Sequence, residues 1–344
     1  MRRTAAVLLC VLCLSLGACT REDSGAYDRG MAALQQGDYD TAMEEFQHAA
    51  SGDGREAEAY RGEGIIYLRQ QDYGHAITLF GLSLDSMKHS NPQFRRDVLY
   101  YQAEAYIGNG QDRDAEAIYT ELIEEDGDAQ AYFLRGSGKL NSGDTEGAAE
   151  DFAGALRQEN SYEMYMKIYR AYAAVNREAD GADYLEQALS LEPAGGEDYY
   201  LQAQVYDYLG DYAKAEEALT KAVQEGCQEA LPMLGKLYLE TGDLSGARRL
   251  YQDFLESGER PAAAYNGLAL CDIQQEEYES ALDNIRQGIA CQDTEVMRDL
   301  LFNEIVVYEK QLDFQTAKEK MQEYLKQYPK DEEALRENEF LQSR

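Results

Sequence analysis

The sequence predicts an all-α protein built as a solenoid of stacked helix pairs. A unit of about 34 residues recurs nine times, and every copy contains a small residue, usually alanine, four positions before a bulky one. The nine pairs are Ala42/Phe46, Ala76/Phe80, Ala115/Tyr119, Ala148/Phe152, Gly181/Leu185, Ala215/Leu219, Ala247/Tyr251, Ala281/Ile285 and Ala317/Met321. A period of this size indicates stacked repeats, and the continuous surface that such repeats form commonly serves binding.

The first helix of each copy is predicted from positions 4, 8 and 11, counted so that the small residue of the pair is position 20. Position 4 is large in most copies, position 8 is usually glycine or alanine, and position 11 is often tyrosine. These positions share one face at helical spacing. The small residue at position 8 allows a second helix to approach closely.

A turn and a second helix complete each copy. Glycine followed by aspartate stands between the two stripes in several copies, as at Gly37-Asp38 and Gly242-Asp243. Glycine can end one helix, and the polar residue can begin the next. Positions 20, 24 and 27 then share a face, so each copy is predicted to be a pair of amphipathic helices.

This array resembles the tetratricopeptide repeat family over residues 23–331. The resemblance implies about nine helix-turn-helix repeats wound as a right-handed α-solenoid. Copy five departs from the pattern, because Tyr169 stands at position 8. A longer connection between copies two and three, Asp85 to Pro92, is interpreted as a neutral insertion, since lengthening a loop costs little. The alternative is that it bends the superhelix or serves a partner. Residues 332–344 are predicted to form a polar capping helix, which a solenoid needs at its end.

The first residues have the features of an export signal. A basic start is followed by an apolar run over residues 4–16, which is too short to span a bilayer, and then by Leu16-Gly17-Ala18-Cys19. These four residues resemble the lipobox of bacterial lipoproteins. The resemblance implies that residues 1–18 are removed, that Cys19 carries the lipid, and that residues 19–25 are a short tether. The alternative is an ordinary secretory peptide in which Cys19 is incidental.

The charge of the chain limits its partners. Its 344 residues include 65 acidic and 32 basic side chains, a formal net charge of −33. Such a field disfavours nucleic acid and close contact with an anionic membrane surface, so anchoring would depend on the lipid alone. Cys227, Cys271 and Cys291 are odd in number and far apart, and we expect them to be free thiols.

No catalytic, metal or cofactor site is predicted. The three histidines, His48, His75 and His89, have no histidine or cysteine at ligand spacing, and no GxSxG, HExxH, P-loop or Rossmann pattern occurs. Adjacent acids are inevitable among 65 carboxylates and do not indicate catalysis. An enzyme is therefore not expected.

The family resemblance places binding on the concave face, at positions 2, 5, 9 and 12 to 13 of each first helix. Several copies have an acid at position 2 and an aromatic residue at position 5, which suits a protein or peptide with an extended segment bearing Lys or Arg. The alternative is that the acids only complement helix N-termini. The candidate groove residues are Tyr27, Asp97, Tyr100, Phe133, Glu163, Glu197, Tyr200, Glu229 and Phe302.

Together these features predict a membrane-anchored, extracytoplasmic repeat lipoprotein that binds a protein or peptide. We expect it on the outward side of the cell membrane, or on the periplasmic side of the outer membrane in a cell with two membranes. The alternative function is a structural scaffold subunit of a cell-envelope assembly, such as secretion, pilus or outer-membrane machinery.

Overall fold

The computed structural model describes residues 25–344 except residues 53, 89, 90 and 259. These described residues form nineteen α-helices and contain no β-strand. The predicted signal peptide and Cys19, with all but the last residue of the tether, lie outside the described residues, as does part of the Asp85 to Pro92 connection. The all-α prediction of eighteen repeat helices and one cap is confirmed.

The first compact unit ends at Gln158, and eight helices occur in its described part. They are α1 (Ala26–Gln36), α2 (Tyr39–Gly52), α3 (Glu56–Arg69), α4 (Tyr73–Asp85), α5 (Pro92–Gly108), α6 (Asp112–Asp126), α7 (Ala129–Ser142) and α8 (Thr145–Gln158).

The second compact unit is Glu159–Arg344, and eleven helices occur in its described part. They are α9 (Tyr162–Ala174), α10 (Glu178–Ala188), α11 (Gly196–Tyr208), α12 (Tyr212–Gln224), α13 (Ala230–Thr241), α14 (Leu244–Ser257), α15 (Pro261–Gln274), α16 (Tyr278–Ala290), α17 (Thr294–Lys310), α18 (Phe314–Gln327) and α19 (Glu332–Gln342).

Each odd-numbered helix up to α17 packs against the even-numbered helix that follows it, which gives the nine predicted pairs. The core between the helices of a pair depends on the small residues. A Cβ atom added to Gly30 would lie 2.7 Å from the Phe46 ring, and one added to Gly64 would lie 2.6 Å from the Phe80 ring. Glycine at position 8 thus lets the aromatic ring at position 24 contact the opposite backbone.

Copy five solves the same packing problem with the sizes exchanged. Its first helix carries Tyr169 at position 8, and its second helix carries Gly181 at position 20. A Cβ atom on Gly181 would lie 2.9 Å from Tyr172 Cβ and 3.1 Å from the Tyr169 ring. The large residue on α9 is therefore accommodated by the missing side chain on α10.

The predicted turn signals act as helix caps. Gly37 and Gly242 end α1 and α13 in the left-handed conformation, with φ of 77° and 80°. Asp72 and Asp243 accept hydrogen bonds from backbone N–H groups in the first turns of α4 and α14. Each cap satisfies a backbone group that would otherwise lack a partner at a helix end.

The last helix closes the second unit. Ala334 and Leu341 of α19 are fully buried against Ile305, Met321 and Tyr324. The helix has 11 residues, which is about three turns, and it ends at Gln342, two residues before the predicted end. Among the described helices, none is both long enough and apolar enough to cross a bilayer.

Candidate protein-binding surface

Within each unit, positions 2, 5 and 9 of the odd-numbered helices up to α17 define what we call the first-helix surface of that unit. In unit one, Arg61 of α3 occupies position 5 and connects the neighbouring repeats. Its Nη2 donates a hydrogen bond to the Tyr27 hydroxyl at 2.7 Å, and its Nη1 donates to Asp97 Oδ2 at 2.5 Å. Burial disfavours the charged guanidinium, but Tyr27 and Asp97 outweigh this effect and raise the pKa of Arg61. The negative charge of Asp97 is therefore paired with Arg61 within the protein.

Tyr27 lies in the core of unit one. Only 9% of its surface is exposed, and its ring centroid is 5.8 Å from that of Phe46. The Arg55 guanidinium covers the ring at 4.6 Å from its centroid. Tyr27 thus offers little aromatic surface to a partner, and its hydroxyl serves to hold Arg61.

Tyr100 and Phe133 are half-buried members of the packing between helices. The Tyr100 hydroxyl donates to Asp128 Oδ1 at 2.7 Å, and burial followed by this contact raises the pKa of Tyr100. The ring centroids of Tyr100 and Tyr119 are 6.4 Å apart, and those of Phe133 and Phe152 are 6.0 Å apart. Both side chains are partly exposed, and their aromatic contacts are internal.

The predicted acids of unit two are open to solvent. Glu163, Glu197 and Glu229 are all exposed, and among the described residues neither Glu163 nor Glu197 forms an ion pair. Glu229 Oε2 lies 3.5 Å from the Cys227 thiol, and Tyr200 is half-buried nearby. Burial first, and then the charges of Cys227 and Glu229, raise the pKa of Tyr200. These carboxylates remain available to a cationic group.

A cavity of about 240 Å³ opens on the first-helix surface of unit two, between α15, α17, α18 and α19. It includes one predicted residue, Phe302, at position 5 of copy nine. The residues that line it are Asn266, Leu270, Arg298, Asp299, Phe302, Asn303, Tyr324, Asp331 and Glu333.

Two asparagines supply the neutral polar groups of this cavity. Asn303 Nδ2 donates to Asn266 Oδ1 at 2.8 Å. This bond leaves the Asn266 amide as a donor and the Asn303 carbonyl as an acceptor, so the pair can bond to a peptide group, which also has one donor and one acceptor. Phe302 and Leu270 provide apolar surface beside them.

One wall of the cavity is fixed by a charged network. Arg298 Nε donates to Asp331 Oδ2 at 2.9 Å and to the Tyr324 hydroxyl at 3.3 Å, and Tyr324 donates to the same Asp331 oxygen at 2.6 Å. The Tyr324 hydrogen bond, with further bonds from Ala334 and Arg298, lowers the pKa of Asp331 to about 2. The Phe302 ring meets Tyr324 edge-on at 5.7 Å. The wall is thus rigid and aromatic.

Two carboxylates at the cavity remain exposed. Asp299 lies at position 2 of copy nine, and Glu333 lies in the first turn of α19. Among the described residues, no lysine or arginine forms an ion pair with either of them. The cavity therefore combines a peptide-bonding pair, an aromatic wall and unpaired negative charge, which suits an extended segment with a basic side chain.

Sequence reasoning missed Arg61, Asn266 and Asn303. Asn266 and Arg61 occupy position 5, one of the family's binding positions, but the predicted groove included only the aromatic residues at that position. Asn303 occupies position 6, outside the positions considered. Its role depends on a bond across 37 residues, which no local pattern reveals.

The described residues contain no group of three or more His, Cys, Asp or Glu side chains that could hold a metal ion. Cys227, Cys271 and Cys291 are free. Cys271 is buried, and burial raises its pKa to about 11. No reactive thiolate is therefore indicated at Cys271.

Comparison with known families identifies the repeats. Models described as tetratricopeptide repeat match residues 27–86 and 233–293, residues 199–225, and residues 97–129 and 299–331. Together these matches cover more than half of the chain. No curated protein matches the chain.

Solved repeat proteins are similar at low identity. The APC/C hetero-tetramer Cut9–Hcn1 is 12% identical, with a TM-score of 0.40 over 92% of this chain and 89% of that chain. A tetratricopeptide repeat protein from Parabacteroides merdae is 17% identical, with a TM-score of 0.40 over 81% of this chain and 97% of that chain. MamA is 18% identical, with a TM-score of 0.38 over 48% of this chain and 88% of that chain.

Proposed function

We propose that this chain, which belongs to the tetratricopeptide repeat family, is an extracytoplasmic lipoprotein that binds a protein or peptide on its first-helix surface. Repeats of this family generally serve as protein-binding scaffolds and are typically non-catalytic. The proposed ligand is an extended segment carrying Lys or Arg. The single observation that carries this proposal is the cavity lined by Asn266, Asn303 and Phe302, with Asp299 and Glu333 unpaired at its edge.

Each part of the cavity has a role in this proposal. The two asparagines bond to a peptide group of the ligand, and the Phe302 ring and Leu270 pack against an apolar or methylene portion. Asp299 and Glu333 pair with the basic side chain. The exposed Glu163, Glu197 and Glu229 add negative charge within the same unit, which increases the rate at which a basic partner arrives.

The proposed membrane anchor is Cys19. The order Leu16-Gly17-Ala18-Cys19 after a short apolar run supports it. The protein would then face outward from the cell membrane, or lie on the periplasmic side of an outer membrane. The variant Cys19→Ser should lose incorporation of a radiolabelled lipid precursor and should leave the membrane fraction. Retention of both would disprove the anchor while leaving the binding surface untested by that result.

Site-specific crosslinking tests the binding surface in cells. A photoreactive phenylalanine analogue placed at Leu270, inside the cavity, should give a discrete crosslinked product. The matched control places it at Gln322, an exposed residue of α18 that does not line the cavity. Phe302→Ala should reduce the product formed from position 270. Equal crosslinking from both positions, or a yield unaffected by Phe302→Ala, would contradict the proposal.

The second candidate function is a scaffold subunit of a cell-envelope assembly. A groove of about 420 Å³ in unit one favours it, because a scaffold needs more than one docking surface. This groove lies between α4, α5 and α6, with Leu84, Leu99 and Ile118 on its floor. A scaffold should migrate in a stoichiometric complex after detergent extraction, whereas a receptor for soluble segments should migrate alone.

A further inference from the structure

Glu309 is a carboxylic acid in an unfavourable place. It lies in the last turn of α17, where the partial negative charge of a helix C-terminus disfavours a carboxylate. Its Oε1 atom is buried, and no amino, guanidinium, amide or hydroxyl group of the described residues donates a hydrogen bond to it. A buried carboxylate oxygen without a donor is costly, whereas a protonated carboxyl group reduces that cost.

A second acid approaches from the capping helix. Glu337 lies three residues after Ala334 and four before Leu341, so it shares the face of α19 on which these two residues are fully buried. It is half-buried and interacts with the Glu309 carboxyl group. Docking of α19 thus brings two carboxyl groups together, and both cannot be ionised without strong repulsion.

The surrounding cations do not relieve this repulsion. Lys310, on the same helix, is the one cation whose charge acts appreciably on Glu309 among the described groups. On α18, Lys320 Nζ forms an ion pair with Glu304 Oε2 at 3.1 Å. Burial, followed by the charge and hydrogen bonding of Glu337, outweighs Lys310 and raises the pKa of Glu309 to about 7.

Among the described residues, no other charged group of α18 or α19 contributes appreciably to the pKa shift of Glu309. Two acids on the adjoining segments have partners of their own. Asp313, at the start of α18, accepts hydrogen bonds from Thr316. The one charged residue of α15, Asp272, is bonded to Arg248 and Ser280. Neither acid is free to share a proton with Glu309.

We propose that α19 is a proton-controlled closure of unit two. When the Glu309 carboxyl group is protonated, the whole helix is docked. When both groups are ionised, their repulsion releases the second half of α19, from Glu337 onward. Leu341 then leaves its site, and apolar surface around Met321 is uncovered.

The first turn of α19 does not take part in this release. Asp331 caps the helix and is bonded to Arg298 and Tyr324. The pKa of Asp331 is lowered to about 2. Its ionised form therefore stabilises the docked first turn above its usual pKa, and this stabilisation is lost only as the pH falls toward 2. The pKa of Glu309 is raised, so its protonated form stabilises docking of α19 fully at acidic pH. This stabilisation is lost as the pH rises through about 7.

Hydrogen exchange of the full chain at several pH values tests this closure. With the intrinsic exchange rate at each pH taken into account, opening of residues 338–342 should increase about tenfold between about pH 6 and about pH 8.5, which follows from a carboxyl pKa near 7 in the docked state. Residues 332–334 should change little over the same range.

Three variants separate the closure from general fraying. Glu337→Gln and Glu309→Gln each remove one charge of the pair and should abolish most of the pH dependence at residues 338–342. Glu339→Gln removes an exposed charge from the same helix and should behave like the unmodified protein. Protection that does not change with pH, or a pH dependence in Glu337→Gln equal to that in Glu339→Gln, would overturn the proposal.

Discussion

The two units use the same repeat positions for opposite purposes. In unit one, Arg61 at position 5 of copy two bonds to Asp97 at position 2 of copy three. In unit two, the equivalent positions of copies eight and nine hold Asn266 and Asp299, and Asp299 remains exposed beside a cavity. One residue at position 5 therefore decides whether the next acid stabilises the protein or stays available to a ligand.

This contrast explains why an acidic residue at position 2 does not by itself predict a binding site. The charge of Asp97 is already satisfied, and breaking its bond to Arg61 would be part of the cost of binding a ligand. No such bond has to be broken at Asp299.

The largest difference concerns the most deeply buried acid of each unit, Asp151 in unit one and Asp272 in unit two. In unit one, Asp151 is bonded to two cations, Arg135 at 2.6 Å and Lys139 at 2.9 Å. Asp151→Asn leaves both cations without a negative partner and should reduce the free energy of unfolding by about 3 kcal/mol or more. Urea denaturation followed by circular dichroism measures the loss.

The counterpart in unit two should be more tolerant. Asp272 is bonded to one cation, Arg248, and to the neutral groups of Ser280 and Asn284. An asparagine can retain part of this network, so Asp272→Asn should cost about 1–3 kcal/mol. Equal losses for Asp151→Asn and Asp272→Asn would show that the number of paired cations does not distinguish the units.

Overpacking should affect one unit before the other. Ala148 is fully buried between α7 and α8, so Ala148→Leu should cost about 1–3 kcal/mol. Because repeat proteins are stabilised mainly by neighbouring contacts, hydrogen exchange should increase in unit one first. A uniform increase from α1 to α19 would contradict this local response.

Salt should have the smallest effect on stability and a clear effect on binding. The Debye length falls from about 10 Å at 0.1 M salt to about 3 Å at 1 M, so attraction between the exposed acids of unit two and a basic peptide must weaken. Stopped-flow association of a lysine-containing peptide should slow with increasing salt, while the dissociation rate changes less. An association rate independent of salt would exclude electrostatic attraction as part of recognition.

The fold follows closely from the sequence, because the determinants are local. The small and bulky residues at positions 20 and 24, such as Ala42 and Phe46, fix the helix pairs through helical spacing alone. Even the departure at Tyr169 is explained within its own repeat, by Gly181 on the following helix. Caps such as Asp243 also act within a few residues.

The binding surface follows less closely, because it depends on contacts between repeats. The sequence shows an acid at position 2 and an aromatic residue at position 5, but it does not show that Arg61 reaches both Tyr27 and Asp97. Position 5 lies at the edge of the core. The residue at this position is buried in copy one, where it is Tyr27, and lines a cavity in copy nine, where it is Phe302. Exposure at such a boundary depends on the neighbouring repeat.

Placing at position 5 of copy eight the arginine that copy two has there tests whether this residue decides the availability of the following acid. The probe is a fluorescein-labelled peptide of alternating lysine and alanine, and its dissociation constant is measured by fluorescence anisotropy. Asn266→Arg should pair with Asp299 and weaken binding about tenfold or more, a loss of about 1.4 kcal/mol. Gln287→Arg, at an exposed position of α16 outside the cavity, controls for the added positive charge. Unchanged affinity in Asn266→Arg, or a loss equal to that in Gln287→Arg, would contradict the assignment of this cavity as the binding site.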